Sequence, residues 1–311
     1  MAKALLAVVV VAVAAVLELG LVGANFQDQC DITWEPQNAK MTEGGDHLTL
    51  SLVSNSSGCM LRTKKQFIYG SVSTRIQLVK GNSAGTVTTY YTSSIGDKHD
   101  EIDFEFLGNS SGLPYTFHTN VFADGVGSRE MQFRPWFDPT DGYHNYTIFW
   151  NPCMIVWFVD SIPIRVFRNH EKEGVPFPTK RPMYAFSSIW AAEDWATQGG
   201  RVKTDWTKAP FVAEYRDIGL NICECPGSGS GSSSSFSSSS SSTSGDAEDP
   251  ACAQRCATSD HWYAAEGLCQ LSDKQLRQMK AVQLGYTIYD YCADAQAKGR
   301  PVPPECSMPQ Y

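Results

Sequence analysis

His99-Asp100-Glu101-Ile102-Asp103-Phe104-Glu105-Phe106 alternates with period two. Glu101, Asp103 and Glu105 fall on one side of the alternation, and Ile102, Phe104 and Phe106 on the other. A strand sends successive side chains to opposite faces, so this segment reads as a strand with one face in a core and three carboxylates on the other. Three like charges on one strand face repel one another and cost stability. Such a row needs a purpose, and glycoside cleavage by paired carboxylates supplies one. Glu101 and Glu105 are four residues apart. At about 3.3 Å per residue their Cα atoms lie roughly 13 Å apart. If each side chain leans about 3–4 Å along the strand, the carboxyls come to roughly 5–6 Å, close to the retaining separation of about 5–5.5 Å. Close acids titrate as a set, with one proton held to higher pH. One group can then be ionised while another stays protonated. A solvated face would mix Lys, Thr and Ser with the acids, and calcium prefers carboxylates on bent loops.

Outward from this strand, residues 25–225 carry short alternating runs such as Leu48–Leu52, Ser71–Leu78 and Ile155–Val159. Asn82, Gly85, Gly96, Asp124-Gly125 and Asp141-Gly142 break them, and no helix-period stretch of ten residues or more intervenes. This is an all-β pattern, a sandwich or barrel. Residues 226–250 are dominated by Ser and Gly and read as a flexible insert, with O-glycosylation one reading. Residues 251–311 differ again. Ser272 with Gln275 predicts a capping box, and Leu276, Met279, Gln283, Tyr286 and then Tyr289 or Asp290 follow helical spacing. Cys292 and Cys306 bracket a Pro-rich tail and are a candidate bridge.

The N-terminus has Lys3, an apolar run from Leu5 to Leu17, and Val22-Gly23-Ala24 before Asn25. Residues 1–24 read as a cleaved signal peptide, since the apolar run is short for a membrane span and is interrupted by Glu18. Ten cysteines and the sequons at Asn55, Asn109 and Asn145 agree with an oxidising, extracellular destination. A net charge of −8 argues against a nucleic-acid partner. The mature chain is expected to be a monomer off the membrane. No cofactor or metal is required.

The strand and its neighbours resemble a known family. His99 to Gly108 is similar to the active-site signature of plant xyloglucan endotransglucosylase/hydrolases, within family 16 of the glycoside hydrolases. Gly81–Thr88, Pro114–Phe122, Trp136–Thr140, Trp150-Asn151-Pro152, Asp194–Gly200, Lys203–Phe211, Tyr289–Cys292 and Pro303–Cys306 extend the match. The resemblance implies a curved β-jelly-roll sandwich with a substrate cleft on its concave face, and a C-terminal extension that contains a helix and lengthens the acceptor side. It implies cleavage of a xyloglucan donor and transfer to a xyloglucan acceptor in the plant cell wall and apoplast. Glu101 would be the nucleophile, Glu105 the acid/base and Asp103 the helper.

His118, Thr119 and Asn120 would line the donor side, and Arg129 and Glu130 would bond sugar hydroxyls. Tyr90, Tyr91, Trp190 and Trp195 would stack on sugars, while Asp194 and Gly199 shape the acceptor side. Trp34, Trp150 and Trp157 are read as core. Asn109 stands where the family carries an N-glycan. Ser128, Met131 and Pro135 depart from the family's pattern, and its Arg between the last two cysteines aligns with Ala297, leaving Arg300 to substitute. Cys153 after Asn151-Pro152 is unusual. Cys292–Cys306 matches a standard bridge, and a second is expected from Cys223 or Cys225 to Cys256. Cys30 with Cys59, and Cys252 with Cys269, are further candidate pairs, and the sequence leaves the connectivity open. A hydrolase on xyloglucan or mixed-linkage glucan, and a silent wall-glycan binder, are the competing readings. Fungal wall-crosslinking enzymes share the acidic strand, but their lipid-anchor tail has no counterpart in the polar Pro303–Tyr311.

Overall fold

The computed structural model describes residues 24–196, 199–226 and 248–311. The expected signal peptide, except Ala24, and almost all of the Ser-rich insert lie outside the described residues. Two antiparallel sheets face each other across one core. The first has eight strands in the order β1 (Cys30–Trp34), β4 (Gly58–Thr63), β13 (Tyr184–Ala191), β6 (Thr86–Ser93), β7 (Glu101–Leu107), β8 (Thr116–Phe122), β9 (Met131–Phe133) and β15 (Thr287–Asp290). The second has seven, in the order β12 (Ile162–Arg168), β11 (Met154–Val159), β10 (His144–Trp150), β5 (Gln66–Gln77), β14 (Phe211–Cys225), β3 (His47–Leu52) and β2 (Ala39–Thr42).

The acid-bearing segment is β7, near the middle of the first sheet. Ile102, Phe104 and Phe106 are buried in the core, as the alternation requires. Phe104 and Phe106 meet Tyr146 edge-on from the facing sheet, where Trp150 and Trp157 are also fully buried. Such aromatics bury large areas, and edge-on pairs add about 0.5–1.5 kcal/mol beyond burial. The second sheet also donates hydrogen bonds to the backbone of the first. Tyr215 Oη donates to Thr89 O at 2.9 Å, Trp157 Nε1 to Asp103 O at 2.9 Å, and Arg165 Nη1 to Thr119 O at 2.7 Å. Three adjacent strands are thereby fixed from behind.

The extension forms two helices, α2 (Pro250–Cys256) and α3 (Asp273–Tyr286), then β15 and a short α4 (Tyr291–Ala297); α1 (Phe26–Gln29) is a single turn at the start. Both halves of the Ser272–Gln275 capping box are present at α3. Its helical spacing stops at Tyr286, short of Tyr289 and Asp290. From Thr287 the chain instead pairs with β9, opposite Phe133, Gln132 and Met131, so the edge strand claims residues whose spacing also suits a helix.

Four disulfides form: Cys153–Cys269, Cys223–Cys256, Cys225–Cys252 and Cys292–Cys306. Cys223 and Cys225 share one strand face, and Cys252 and Cys256 share one helix face, so the two pairs meet as two bridges. The candidate pair Cys252–Cys269 is therefore wrong, and the unusual Cys153 supplies the partner of Cys269. Cys30 and Cys59 are buried free thiols. Cys30 lies opposite Thr63, four residues along β4 from Cys59, roughly 13 Å away at about 3.3 Å per residue and beyond bridging distance.

Candidate active site

The register lays the outer face of the eight-stranded sheet out in transverse rows. Thr89, Glu105, His118 and Gln132 lie side by side on β6, β7, β8 and β9. Tyr91, Asp103 and Asn120 form the next row, and Ser93, Glu101 and Phe122 the one after. A groove of about 930 Å³ runs from Asn120 and Phe122 past Glu130 to Tyr289, Tyr291 and Arg300. A second cavity of about 250 Å³ lies between His118, Glu130, Gln132, Leu107 and Trp195. The acids share the outer sheet face with the lining of both spaces, Asp103 beside Asn120, Glu101 beside Phe122 and Glu105 beside His118.

Burial raises the pKa of all three acids, because the charged form loses hydration. Asp103 is pushed well up, by burial first and then by the flanking charges of Glu101 and Glu105. The hydrogen bond between Asp103 and Glu101 raises Asp103 and opposes the rise at Glu101. Asp103 therefore holds the proton and Glu101 is the partner that ionises. Glu105 is also raised, by burial and by the charges of Glu130 and Glu101, against His118. Glu130 is the exception. Burial would raise it, but the close His118 ring and the hydrogen bond from Gln132 outweigh burial and hold it low. His118 Nδ1 is 3.3 Å from Glu130 Oε2, and Gln132 Nε2 donates to Glu130 Oε1 at 2.5 Å. Because Asp103 is pushed further up than its neighbours, the row can hold a charged and a protonated carboxyl at one pH, which double-displacement glycoside chemistry needs.

The other expected site residues divide by strand parity. His118 and Asn120 face the cleft, while Thr119 between them points into the core and accepts a hydrogen bond from Arg165. Tyr91 faces the cleft and stacks on Phe186 at 4.9 Å, while its neighbour Tyr90 is buried in the core. Thr119 and Tyr90 are corrected from sugar contacts to core residues, because adjacent strand positions cannot share a face. Arg129 is corrected too. Its Nε donates to Glu305 Oε1 at 2.9 Å in a buried ion pair, and its Nη1 donates to Val126 O at 2.7 Å, so it ties the extension to the sheet.

Trp190 is half-buried and Trp195 is 43% exposed, 6.0 Å apart between ring centroids. Asp194 and Gly199 lie on the exposed turn after β13. Arg300 lines the larger groove and pairs with Asp294, which places a guanidinium there despite Ala297. Asn109 borders the smaller cavity and donates to Pro114 O at 3.0 Å. Sequence reasoning missed Gln132, Tyr291 and Arg165. The last is a charge inside the apolar run Ile162–Phe167, a visible sign of a buried polar anchor.

The family model for glycosyl hydrolases family 16 matches residues 26–208. The chain belongs to that family. A second model, described as the xyloglucan endo-transglycosylase C-terminus, matches residues 257–306. Xyloglucan endotransglucosylase protein 7 of Diospyros kaki is 46% identical over 286 residues, covering 92% of this chain and 98% of that protein. Xyloglucan endotransglucosylase/hydrolase protein 15 of Arabidopsis thaliana is 46% identical over 298 residues, covering 94% and 95%. Among solved structures, Crh5 transglycosylase aligns with a TM-score of 0.53 at 20% identity, covering 65% of this chain and 82% of that one. Laminarinase from Flavobacterium sp. UMI-01 aligns with a TM-score of 0.52 at 18% identity, covering 65% and 96%. These structures share the sandwich fold of family 16, as expected of a jelly roll. Among the described residues, no helix is long and apolar enough to cross a membrane.

Proposed function

We propose that this chain is a secreted plant cell-wall enzyme that cleaves the β-1,4-glucan backbone of xyloglucan with retention and passes the glycosyl group to another xyloglucan chain. The observation that carries this is the acid row on β7, where Glu101, Asp103 and Glu105 share the outer strand face opposite Ser93, Tyr91 and Thr89. Burial raises all three carboxyls, Asp103 most strongly, which favours a proton on Asp103 beside Glu101 and a proton available on Glu105. The Glu101 carboxylate attacks the anomeric carbon while Glu105 gives its proton to the departing glycosidic oxygen. An acceptor hydroxyl then attacks that carbon, Glu105 takes the hydroxyl proton, and Glu101 leaves as carboxylate. Water in place of the acceptor would give hydrolysis.

The substrate assignment rests on the 46% identity to enzymes named for xyloglucan and on the matched C-terminal module. In this reading His118, Asn120, Glu130, Tyr91, Trp190, Trp195, Asp194 and Gly199 contact sugar, residues 1–24 are removed, and Asn109 carries a glycan. The test is incubation with xyloglucan polymer and a labelled xyloglucan oligosaccharide. Label enters the polymer if the proposal holds. Reducing ends that accumulate without polymer labelling would sink it.

A further inference from the structure

Trp34 is read from the sequence as a core residue, but it is 37% exposed. The cause is a bulge. Cys30, Asp31 and Ile32 pair in step with Thr63, Arg62 and Leu61, and then the register slips so that Trp34 lies opposite Met60. Without the slip Trp34 would stand opposite Cys59, a buried core position. Bulges re-aim side chains in this way. Here Thr33 is the extra residue, and the slip turns Trp34 from the core face to the outer face.

The same outer face carries the acids. Met60 is opposite Ser188, Ser188 opposite Thr89, and Thr89 opposite Glu105. Trp34 is therefore the end of the transverse row that contains Glu105, four strands away. At about 4.8 Å per strand that is roughly 19 Å. The residues between are small or flexible, and Thr89 and Ser188 bond each other at 2.6 Å. The floor there is also shaped for the indole. A Cβ on Gly58 would stand 2.4 Å from Trp34 Cη2, although the Gly58 backbone does not lie in the left-handed region. That Cβ would also stand 2.6 Å from Ile189 O, so the missing side chain at Gly58 makes room both for the ring and for the backbone of β13.

We propose that Trp34 is a sugar platform at the far end of the cleft, on the arm opposite the C-terminal extension, and that it selects long donors. A half-exposed indole with one side packed on the sheet presents a flat apolar surface to a pyranose face. A glucan lying across the strands places about one unit per interstrand spacing of about 4.8 Å. It reaches Trp34 only when it continues roughly four units beyond the cleaved bond. This inference rests on the proposed xyloglucan transfer.

The test compares Trp34→Ala and Trp34→Phe with the parent, using a labelled acceptor and two donors, long polymer and an oligosaccharide too short to span the row. Trp34→Ala is expected to raise KM for the polymer about three- to tenfold, with kcat within about twofold and the short donor unaffected. Trp34→Phe restores most of the loss. Equal effects on both donors, or none on either, overturn the role. If the parent transfers no label, the proposed function fails separately. Trp34 is then judged by affinity electrophoresis in xyloglucan gels, Glu101→Ala against the Trp34→Ala/Glu101→Ala double variant. Equal retardation of the two overturns the platform.

Discussion

The sandwich and the C-terminal extension are held together by different forces. The sandwich buries Trp150, Trp157, Tyr146, Tyr215, Phe104 and Phe117 between its sheets, and its chemistry sits on the far side of a strand whose other face is core. In the extension, α3 has only Met279 and Val282 buried, while Leu284 is almost wholly exposed. Four disulfides touch or enclose this region, and Glu305 reaches back to Arg129. A piece of this size cannot build a sufficient core alone, so it is pinned where β15 completes the cleft. The difference teaches that catalysis and cleft length rest on separable stabilities.

The largest effect that probes this separation is chemical. Glu101→Gln should lower transfer about 10⁴-fold or more, as removal of a nucleophile does. Denaturant unfolding should show no loss of stability, since the neutral amide keeps the shape of Glu101 and removes a charge that burial disfavours. A matching fall in stability would mean that the acid row also holds the sandwich together.

Two changes should loosen the extension first. Cys153 and Cys269 are 116 residues apart, and their bridge joins the hairpin after β10 to the extension. Replacing both with Ser should cost about 4–5 kcal/mol by loop entropy, read as a lower denaturation midpoint. A cost under about 1 kcal/mol would show that packing already anchors the extension. Glu305→Ala leaves Arg129 buried and unpaired, and breaking such a pair costs about 3–5 kcal/mol. Hydrogen exchange should rise in β15 and α4 before β5, β10 and β14, and Arg129→Met added to Glu305→Ala should recover part of the loss. Even loss of protection across both sheets would merge the two regions into one unit.

The same contrast governs what the sequence reveals. Strand β7 is legible because period two assigns both its faces at once, and α3 because Ser272 and Gln275 mark its start. Alternation alone also excludes one residue each from the pairs Tyr90–Tyr91 and Thr119–Asn120, since neighbours cannot both face a cleft. Trp34 is not legible, because a one-residue slip reverses every later side chain and leaves no mark in composition. Arg129 with Glu305, 176 residues apart, and Cys153 with Cys269 are contacts between regions with no periodicity to announce them. Strand faces are local properties of the chain, whereas the extension's anchors depend on where the finished sandwich puts their partners.

One cluster joins the two regions by charge and should give the smallest effect. Arg181 lies between Asp100 on the sandwich, Asp124 on the loop after β8 and Glu248 on the segment leading to α2, at 3.6, 2.6 and 3.3 Å. Burial raises the Asp100 pKa from 3.8 to about 6, against the Asp124 backbone N–H and Arg181. A carboxyl with a raised folded pKa binds its proton more tightly when folded. Its contribution is therefore greatest at low pH and is lost as pH rises from 3.8 through about 6. At about 1.36 kcal/mol per unit, the loss is up to about 3 kcal/mol. Asp100→Asn cannot ionise and should not lose it. Between pH 4 and 7, unfolding free energy should fall more steeply with pH in the parent than in Asp100→Asn, by up to about 3 kcal/mol. Identical slopes would mean that Arg181 fully compensates the Asp100 charge, and the joint between sandwich and extension would then be insensitive to pH.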